Sequence, residues 1–211
     1  MTQPKKLLVL TGPQGAGNHM WSKIFALYPR TFGWQALLDE YWIGHDQEPF
    51  AEYWEDPKRL EQFDWSGYDY FVTSISVPYM LNGERTIPRF GPFIQAVQST
   101  GVQIQFAILG RDANILETQE TRVRGEPTLH LAVKELATLS GHLPEFLSYE
   151  LLHLYGRHYL QQLNTILKFP VAYTDPRIDE IIKEDANTKY FQPIEHHWVD
   201  DLAKHTSRKW R

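Results

Sequence analysis

The feature that most constrains this chain is an apolar run near the N-terminus that leads directly into a glycine-rich turn. Lys6 to Leu10 is apolar at consecutive positions after its lysine, which is typical of a parallel strand buried on both faces. The turn Gly12 to His19 (GPQGAGNH) follows, and Trp21 to Tyr28 then has the pattern of a helix. This order predicts a phosphate-binding loop, because main-chain N–H groups at a helix N-terminus attract an anion.

Two residues of this loop depart from the nucleotide-binding motif whose spacing it shares. Gly12 and Gly17 have the spacing of a Walker A loop. Asn18 stands where that motif has its lysine, and His19 where it has the Ser or Thr that contacts magnesium. The geometry therefore predicts phosphate binding, while the chemistry argues against an ordinary ATPase. An ordinary strand–turn–helix connection produces a similar glycine pattern and stays open as the alternative.

The composition limits the classes of protein to which the chain can belong. A length of 211 residues with 42% hydrophobic content predicts one globular domain over residues 1–211. The formal charge of −5, from 21 basic and 26 acidic residues, argues against broad nucleic-acid binding. We expect Trp34, Trp42 and Trp54 to fill the core or cover a pocket instead of stacking on bases. The chain has no cysteine, which excludes disulfides, thiolate metal sites and thiol catalysis.

No segment of the sequence has the pattern of a targeting or membrane-spanning element. The apolar run after the N-terminal lysines is too short for a secretory signal, and no stretch approaches the length of a membrane span. We therefore expect a cytoplasmic protein that does not enter a membrane. The sequence leaves the oligomeric state open.

Strands that alternate with helices predict an α/β fold. Further strands are expected at Tyr70 to Ser76, Val102 to Leu109 and Phe169 to Tyr173. Helical patterns are found at Phe93 to Thr100, Ala113 to Val123, Leu129 to Ser140, Pro144 to Leu167 and Arg177 to Glu184. The prediction is a three-layer P-loop-type fold, with a central parallel sheet flanked by helices and a helix-rich C-terminal half.

Polar residues follow three of the predicted strands at the point where each strand ends. The glycine loop follows the first strand, Ser74 to Pro78 ends the second, and Arg111-Asp112 follows the third. In an open parallel sheet, ligands bind in the crevice outside the carboxyl ends of the strands. We therefore expect these three segments to converge on one ligand.

The loop and the arginine together resemble segments of the P-loop sulfotransferases. The 5′-phosphosulfate loop of that family, G-x-x-[KR]-S-G-T-[ST], matches Gly12 to His19 in frame, and its 3′-phosphate strand with a terminal Arg resembles Gln105 to Asp112. The resemblance covers the first two-thirds of the chain. It implies a metal-independent protein that binds 3′-phosphoadenosine 5′-phosphosulfate and transfers a sulfuryl group to a hydroxyl or amine acceptor.

The resemblance also implies which residues bind the nucleotide. The loop would hold the 5′-phosphosulfate and Arg111 the 3′-phosphate, while Gln119 stands where the family has a Ser eight positions after the Arg. Apart from this resemblance, Arg122 and Arg124 would cover phosphates as a lid, as such arginines do in nucleotide kinases, although basic residues at a helix C-terminus are also favoured by the helix dipole. The expected nucleotide-binding residues are Gly12, Gln14, Gly15, Ala16, Gly17, Asn18, His19, Arg111, Gln119, Arg122 and Arg124.

The sequence departs from the family at residues that carry charge or protons. Gly15 replaces the basic loop residue, and Ser76, in Ser76-Val77-Pro78, falls where cytosolic members have their general-base His. His19, Asp46 and Ser76 are the candidate catalytic residues, and His45 is a lesser alternative base. A lost loop cation removes stabilisation of the charge that develops during transfer.

Two other functions remain open from the sequence. One is a small nucleotide or nucleoside kinase with Arg122 and Arg124 as lid residues, against which the missing Walker lysine counts. The other is a non-catalytic binding module that kept the fold. No metal site is predicted, because His153 and His158 lie five positions apart and the remaining histidines lack a helical His-x-x-x-His pair with a carboxylate. Two further candidates for metal ligands, His142 and the run Glu195-His196-His197, also lack this arrangement.

Overall fold

The computed structural model describes residues 4–40 and 43–190 of the chain. The strands are β1 (Lys6–Pro13), β2 (Thr31–Phe32), β3 (Tyr70–Val77), β4 (Tyr79–Leu81), β5 (Glu84–Thr86), β6 (Gln103–Gly110) and β7 (Glu145–Ser148). Five of them form a sheet with the order β2-β3-β1-β6-β7, in which every neighbouring pair is parallel. A separate antiparallel hairpin is formed by β4 and β5.

Helices cover both faces of the sheet, which confirms the predicted α/β fold with a central parallel sheet. The α-helices are α1 (Asn18–Ala26), α2 (Ala51–Glu55), α3 (Phe90–Ser99), α4 (Ala113–Arg124), α5 (Leu129–Leu136), α6 (Tyr149–Tyr155), α7 (Arg157–Ile166) and α8 (Arg177–Ile181). Short 3₁₀ helices occupy Gln35–Leu37, His45–Gln47, Pro57–Gln62 and Ala137–His142. None of the helices in the described part combines the length and hydrophobicity that a membrane crossing requires.

Strand β1 is the third of the five strands, as its unbroken apolar run predicts, and it contributes to two cores. Leu7 and Val9 pack into one core with residues of α3 and α5, while Leu8 and Leu10 pack into the opposite core with residues of α1 and α7. All four side chains are fully buried. Because successive residues of a strand point to opposite faces, an apolar run without alternation requires helices on both sides.

The aromatic-rich segment between β2 and β3 forms part of the core. Trp54 stacks on Phe93 of α3 with 3.8 Å between ring centroids, and its indole N–H donates to the Thr73 hydroxyl at 3.2 Å. Trp34 is also fully buried, against Ile43 and Ala26. Trp42 lies outside the described residues.

The C-terminal half corrects two predictions. The helix expected over Pro144 to Leu167 is instead β7 followed by α6 and α7. Ser148 begins α6 as an N-cap that accepts from the Leu151 N–H, and Gly156 separates the two helices at φ +51°. The strand expected at Phe169 to Tyr173 is wrong, because that segment is irregular and its Val171 N–H donates to the Asn164 side chain at 3.0 Å instead of to a neighbouring strand.

A fully buried carboxylate links α4 to α5. Glu120 of α4 accepts hydrogen bonds from the main-chain N–H and the hydroxyl of Thr128, with 2.7 Å between the hydroxyl and Oε1. Thr128 is the N-cap residue of α5. The carboxylate therefore satisfies a donor that the start of this helix would otherwise leave unpaired.

The carboxyl ends of β1 and β6 approach each other closely because Gly12 has no side chain. A Cβ at this position would lie 2.6 Å from the main-chain oxygen of Leu109. This oxygen belongs to the backbone of a neighbouring strand, and it cannot move aside without separating the two strands.

We predict that Gly12→Ala lowers the free energy of unfolding by about 1–3 kcal/mol, the usual cost of overpacking a core. Gly91→Ala in α3 is the matched control, since a Cβ there meets nothing within 4 Å. The control is expected to leave stability unchanged or to raise it by less than about 1 kcal/mol. Urea unfolding followed by circular dichroism measures both, and equal effects of the two substitutions would contradict the prediction.

Candidate functional site

The glycine loop turns from β1 into α1 through two residues with left-handed backbone. Gly15 has φ +86° and Gly17 has φ +94°, a conformation that favours glycine strongly over residues with a Cβ. Gly17 is the N-cap of α1, and no side chain caps this helix. In the described part of the chain, the N–H groups of Gly17, Asn18 and His19 have no main-chain acceptor. The start of α1 therefore presents free donors, which is the local geometry that binds an anion.

Buried polar side chains surround this turn. Asn18 donates through Nδ2 to the Ser76 hydroxyl at the end of β3, at 2.8 Å. Its Oδ1 and the Oε1 of Gln14 are buried and have no hydrogen-bond partner among the described residues. A main-chain hydrogen bond within the loop, from the Ala16 N–H to the Pro13 carbonyl at 3.1 Å, stabilises the turn. The unpaired oxygens of Asn18 and Gln14 are both acceptors, so a water molecule or a ligand group that donates a hydrogen bond would satisfy them.

Arg111, which follows β6, reaches across to the glycine loop. Its Nη1 donates to the Gly15 carbonyl at 2.8 Å and to Gln119 Oε1 at 3.2 Å, and its Nε donates to Asn187 Oδ1 at 2.6 Å. Asn187 in turn donates through Nδ2 to Glu150 Oε1 at 3.3 Å, so Glu150 helps to orient the amide that binds the arginine. Its Nη2 is buried without a partner among the described residues.

Two arginines beside the loop each place their guanidinium group over a tyrosine ring. The Arg111 guanidinium carbon lies 4.5 Å from the centroid of the Tyr149 ring, and Arg122 lies 5.3 Å from that of Tyr190, whose hydroxyl it also contacts at 3.1 Å. Within residues 4–40 and 43–190, neither arginine forms an ion pair with a carboxylate. The side chain of Arg124 lies outside the described residues. Because no carboxylate of the described residues pairs directly with either guanidinium, both can contact a negatively charged ligand.

On the other side of the loop lies a buried carboxylate that the sequence did not indicate. Glu48 Oε1 lies 3.2 Å from His19 Nε2 and 3.4 Å from His45 Nδ1, and its Oε2 accepts from the Ser74 hydroxyl at 2.8 Å. Glu48 follows the 3₁₀ helix His45–Gln47 in an irregular segment. No periodic pattern or motif singles it out, because only the long-range fold brings this segment to the ends of β1 and β3.

The pKa of Glu48 is set by opposing effects. Burial by itself raises the pKa of this carboxyl, and the hydrogen bonds from His19 and His45 lower it. The result is a pKa below its ordinary value of 4.5. Glu48 is therefore a buried anion at neutral pH, facing two imidazoles.

The remaining candidate catalytic residue, Asp46, is not part of the contacts around Glu48. Asp46 is exposed on the 3₁₀ helix, and in the described part it makes no hydrogen bond to the loop, whereas its neighbour His45 faces Glu48. Its catalytic role, like those of His19 and Ser76, stays a prediction. Among the described residues, no group of three His, Asp or Glu side chains is arranged to hold a metal ion. The run Glu195-His196-His197 lies outside the described residues.

We predict a pH-dependent stability contribution from Glu48. Because its folded-state pKa is depressed, the carboxylate stabilises the fold above the unfolded pKa, and this contribution is lost as the pH falls through the folded-state pKa. Glu48→Gln should lower the free energy of unfolding by about 2 kcal/mol at neutral pH. The difference from wild type should shrink below about pH 4.5.

Urea unfolding across this pH range provides the measurement. Glu52→Gln is the control, because that carboxylate is half exposed in an ion pair with Arg59, where the contribution of a surface pair is small. A difference for Glu48→Gln that stays constant from neutral to acid pH would show that the carboxylate charge does not matter.

Comparison with known proteins identifies no family. No protein-family model matches the chain, and no curated protein matches it. Among solved structures, the chain is similar to the crystal structure of an unliganded sugar kinase from Janibacter sp. HTCC2649, at 15% sequence identity and a TM-score of 0.41. That match covers 81% of this chain and 98% of the other.

Proposed function

We propose that this chain is a sulfotransferase-like P-loop protein that binds 3′-phosphoadenosine 5′-phosphosulfate and transfers its sulfuryl group to a hydroxyl or amine acceptor. The observation that carries the proposal is the contact of Arg111 Nη1 with the Gly15 carbonyl, at 2.8 Å. This contact places a guanidinium against the glycine loop, at the edge of the sheet where ligands of open α/β folds bind.

The residues present fit the two charged ends of this donor. The free N–H groups of Gly17, Asn18 and His19 would hold the 5′-phosphosulfate at the start of α1. Arg111 would hold the 3′-phosphate, for which its buried Nη2 has no competing partner among the described residues. Gln119, on α4, contacts Arg111 and lies beside Gly15, so it lines the same space.

The position of Arg111 also bears on the missing loop cation. The sulfotransferase loop has a basic residue where this chain has Gly15, and the Arg111 guanidinium contacts the carbonyl of that same glycine. The guanidinium lies on the side proposed for the 3′-phosphate, so the 5′-phosphosulfate would depend on the N–H groups of the loop. This arrangement supports binding of a highly charged nucleotide even though the loop itself carries no lysine or arginine.

When bound, the phosphosulfate supplies an activated sulfuryl group whose transfer leaves a phosphate behind. The chain would contribute donors that hold the charged groups and a side chain that accepts the proton of the acceptor. His19 is the last residue of the loop, with 26% of its side-chain surface exposed, and Asp46 and Ser76 are further candidates for this role. Cytoplasmic location remains an expectation from the sequence.

We predict that 3′-phosphoadenosine 5′-phosphate stabilises the protein more than ATP with magnesium does. Asn18 and His19 occupy the places of the lysine and the hydroxyl with which a kinase holds phosphates and metal. A ligand at a hundred times its Kd adds about 2.7 kcal/mol of stability. Differential scanning fluorimetry with each ligand, with and without EDTA, measures the shift in Tm.

The same measurement discriminates between the alternatives. A shift with 3′-phosphoadenosine 5′-phosphate that EDTA leaves unchanged would support the proposal. A larger shift with magnesium and ATP would favour the nucleotide kinase, and no shift with either ligand would favour a fold without a working nucleotide site.

A second prediction concerns the 3′-phosphate alone. We expect Arg111→Gln to weaken binding of 3′-phosphoadenosine 5′-phosphosulfate about 10- to 100-fold, the effect of losing one charge-assisted hydrogen bond. Binding of adenosine 5′-phosphosulfate, which lacks the 3′-phosphate, should change by less than about threefold, since no charged contact is lost. Isothermal titration calorimetry measures both affinities, and exposed Arg59→Gln serves as the control for charge. Equal weakening of both ligands would contradict the assignment of Arg111 to the 3′-phosphate.

A further inference from the structure

The Glu48 carboxylate is fixed on both of its oxygens where the segment before α2 meets the glycine loop. Oε2 accepts from the Ser74 hydroxyl at 2.8 Å, while Oε1 lies 3.2 Å from His19 Nε2 and 3.4 Å from His45 Nδ1. Its side chain is 8% exposed, so water does not compete strongly for these contacts. The two imidazoles are the titratable groups that face it.

This contact determines which nitrogen of His19 carries the proton. An ionised carboxylate can only accept a hydrogen bond, so the Nε2 that faces Glu48 is the protonated nitrogen of the neutral imidazole. The lone pair then lies on Nδ1, which has no partner among the described residues. His19 is the second residue of α1, next to the free N–H groups of the loop.

Aromatic neighbours restrict the two imidazole rings further. The Trp34 ring lies 4.9 Å from that of His19, and the Tyr79 ring lies 4.6 Å from that of His45. Trp34 is fully buried and therefore cannot move aside easily. The His19 ring is thus held by a hydrogen bond at one nitrogen and by packing against one side.

We propose that Glu48 is a positioning residue, which holds His19 so that its Nδ1 accepts the proton of an acceptor hydroxyl. This inference rests on the proposed function and makes it more specific, because it selects His19 over Asp46 and Ser76 as the base. It also assigns the acceptor to the β3 side of the loop, opposite Arg111.

The transfer step balances with these groups. The hydroxyl oxygen of the acceptor forms a bond to the sulfur of the donor, and the bond from sulfur to the bridging phosphate oxygen breaks. The electron pair of the broken bond remains on the phosphate. The hydroxyl proton passes to His19 Nδ1, and the negative charge of Glu48 stabilises the imidazolium that results.

The orientation of His19 is tested first, by nuclear magnetic resonance on the ligand-free protein. In wild type we expect a downfield imidazole proton resonance on Nε2 that is protected from exchange with water and is absent in His19→Asn. Glu48→Leu should lose this resonance, and Glu52→Gln, which removes an exposed carboxylate of α2, should retain it. Persistence of the protected proton in Glu48→Leu would overturn the proposal.

Kinetics then separate orientation from charge. Glu48→Gln keeps an oxygen that can accept from Nε2 but removes the negative charge, so we expect the proton resonance to persist while kcat falls about tenfold. Glu48→Leu removes both and should lower kcat about 100-fold or more, with the donor KM unchanged in both variants. Transfer from 3′-phosphoadenosine 5′-phosphosulfate to 2-naphthol is the assay, and an unchanged kcat in both variants would overturn the role.

The proposed function and this inference fail in different ways. If wild type does not bind 3′-phosphoadenosine 5′-phosphate, the proposed function is refuted, whereas the resonance of the His19 proton still decides whether Glu48 orients the ring. If the nucleotide binds equally to wild type and Glu48→Gln and only transfer is reduced, both are supported.

Discussion

The burial of β1 on both faces fixes the strand from which the glycine loop begins. Leu7 and Val9 belong to one core and Leu8 and Leu10 to the other, so the strand cannot shift along or across the sheet without exposing apolar surface on one side. Its carboxyl end is held equally firmly, because Gly12 lies against the Leu109 backbone of β6. The glycine loop therefore starts from a rigid point, and its donors need no ordering when a ligand arrives.

Charges of opposite sign lie on the two sides of this loop. Arg111 contacts it from the β6 side, with Arg122 nearby, and Glu48 lies on the β3 side between two imidazoles. The positive side suits a phosphorylated donor, and the carboxylate with His19 suits a group that must lose a proton. Under the proposed function, a donor with several negative charges would be repelled by Glu48, so the charge distribution would favour its binding on the Arg111 side.

The parts of this structure that local pattern determines were predictable from the sequence. The apolar run of β1, the glycines of the turn and the start of α1 are close in sequence, and their order predicts the central strand and the loop. Arg111 was predictable as a strand-end residue, because the carboxyl ends of parallel strands share one edge of a sheet.

Elements that depend on tertiary contacts were not predictable. Glu48 is one acidic residue among several in an irregular aromatic segment, and only its contacts with His19 and Ser74 distinguish it. Strand β7 was predicted as helix because its four residues are too few for a β pattern, and their pairing with β6 is what makes them a strand. The opposite error occurred at Phe169, where an apolar segment was predicted as a strand. Phe169 is buried, but the segment does not pair with any strand of the sheet.

The buried bond between Glu120 and Thr128 has a consequence for the speed at which Arg122 can respond to a ligand. The bond ties α4, which carries Arg122, to α5, whose Ala132 and Leu136 are packed in the core beside β1. Movement of the helix backbone would disrupt that core and belongs to the microsecond-to-millisecond range. Rotation of the exposed Arg122 side chain away from Tyr190 takes picoseconds to nanoseconds instead. If Arg122 binds an anion, as we expect from the sequence, its side chain alone would need to move, and no domain closure would be required.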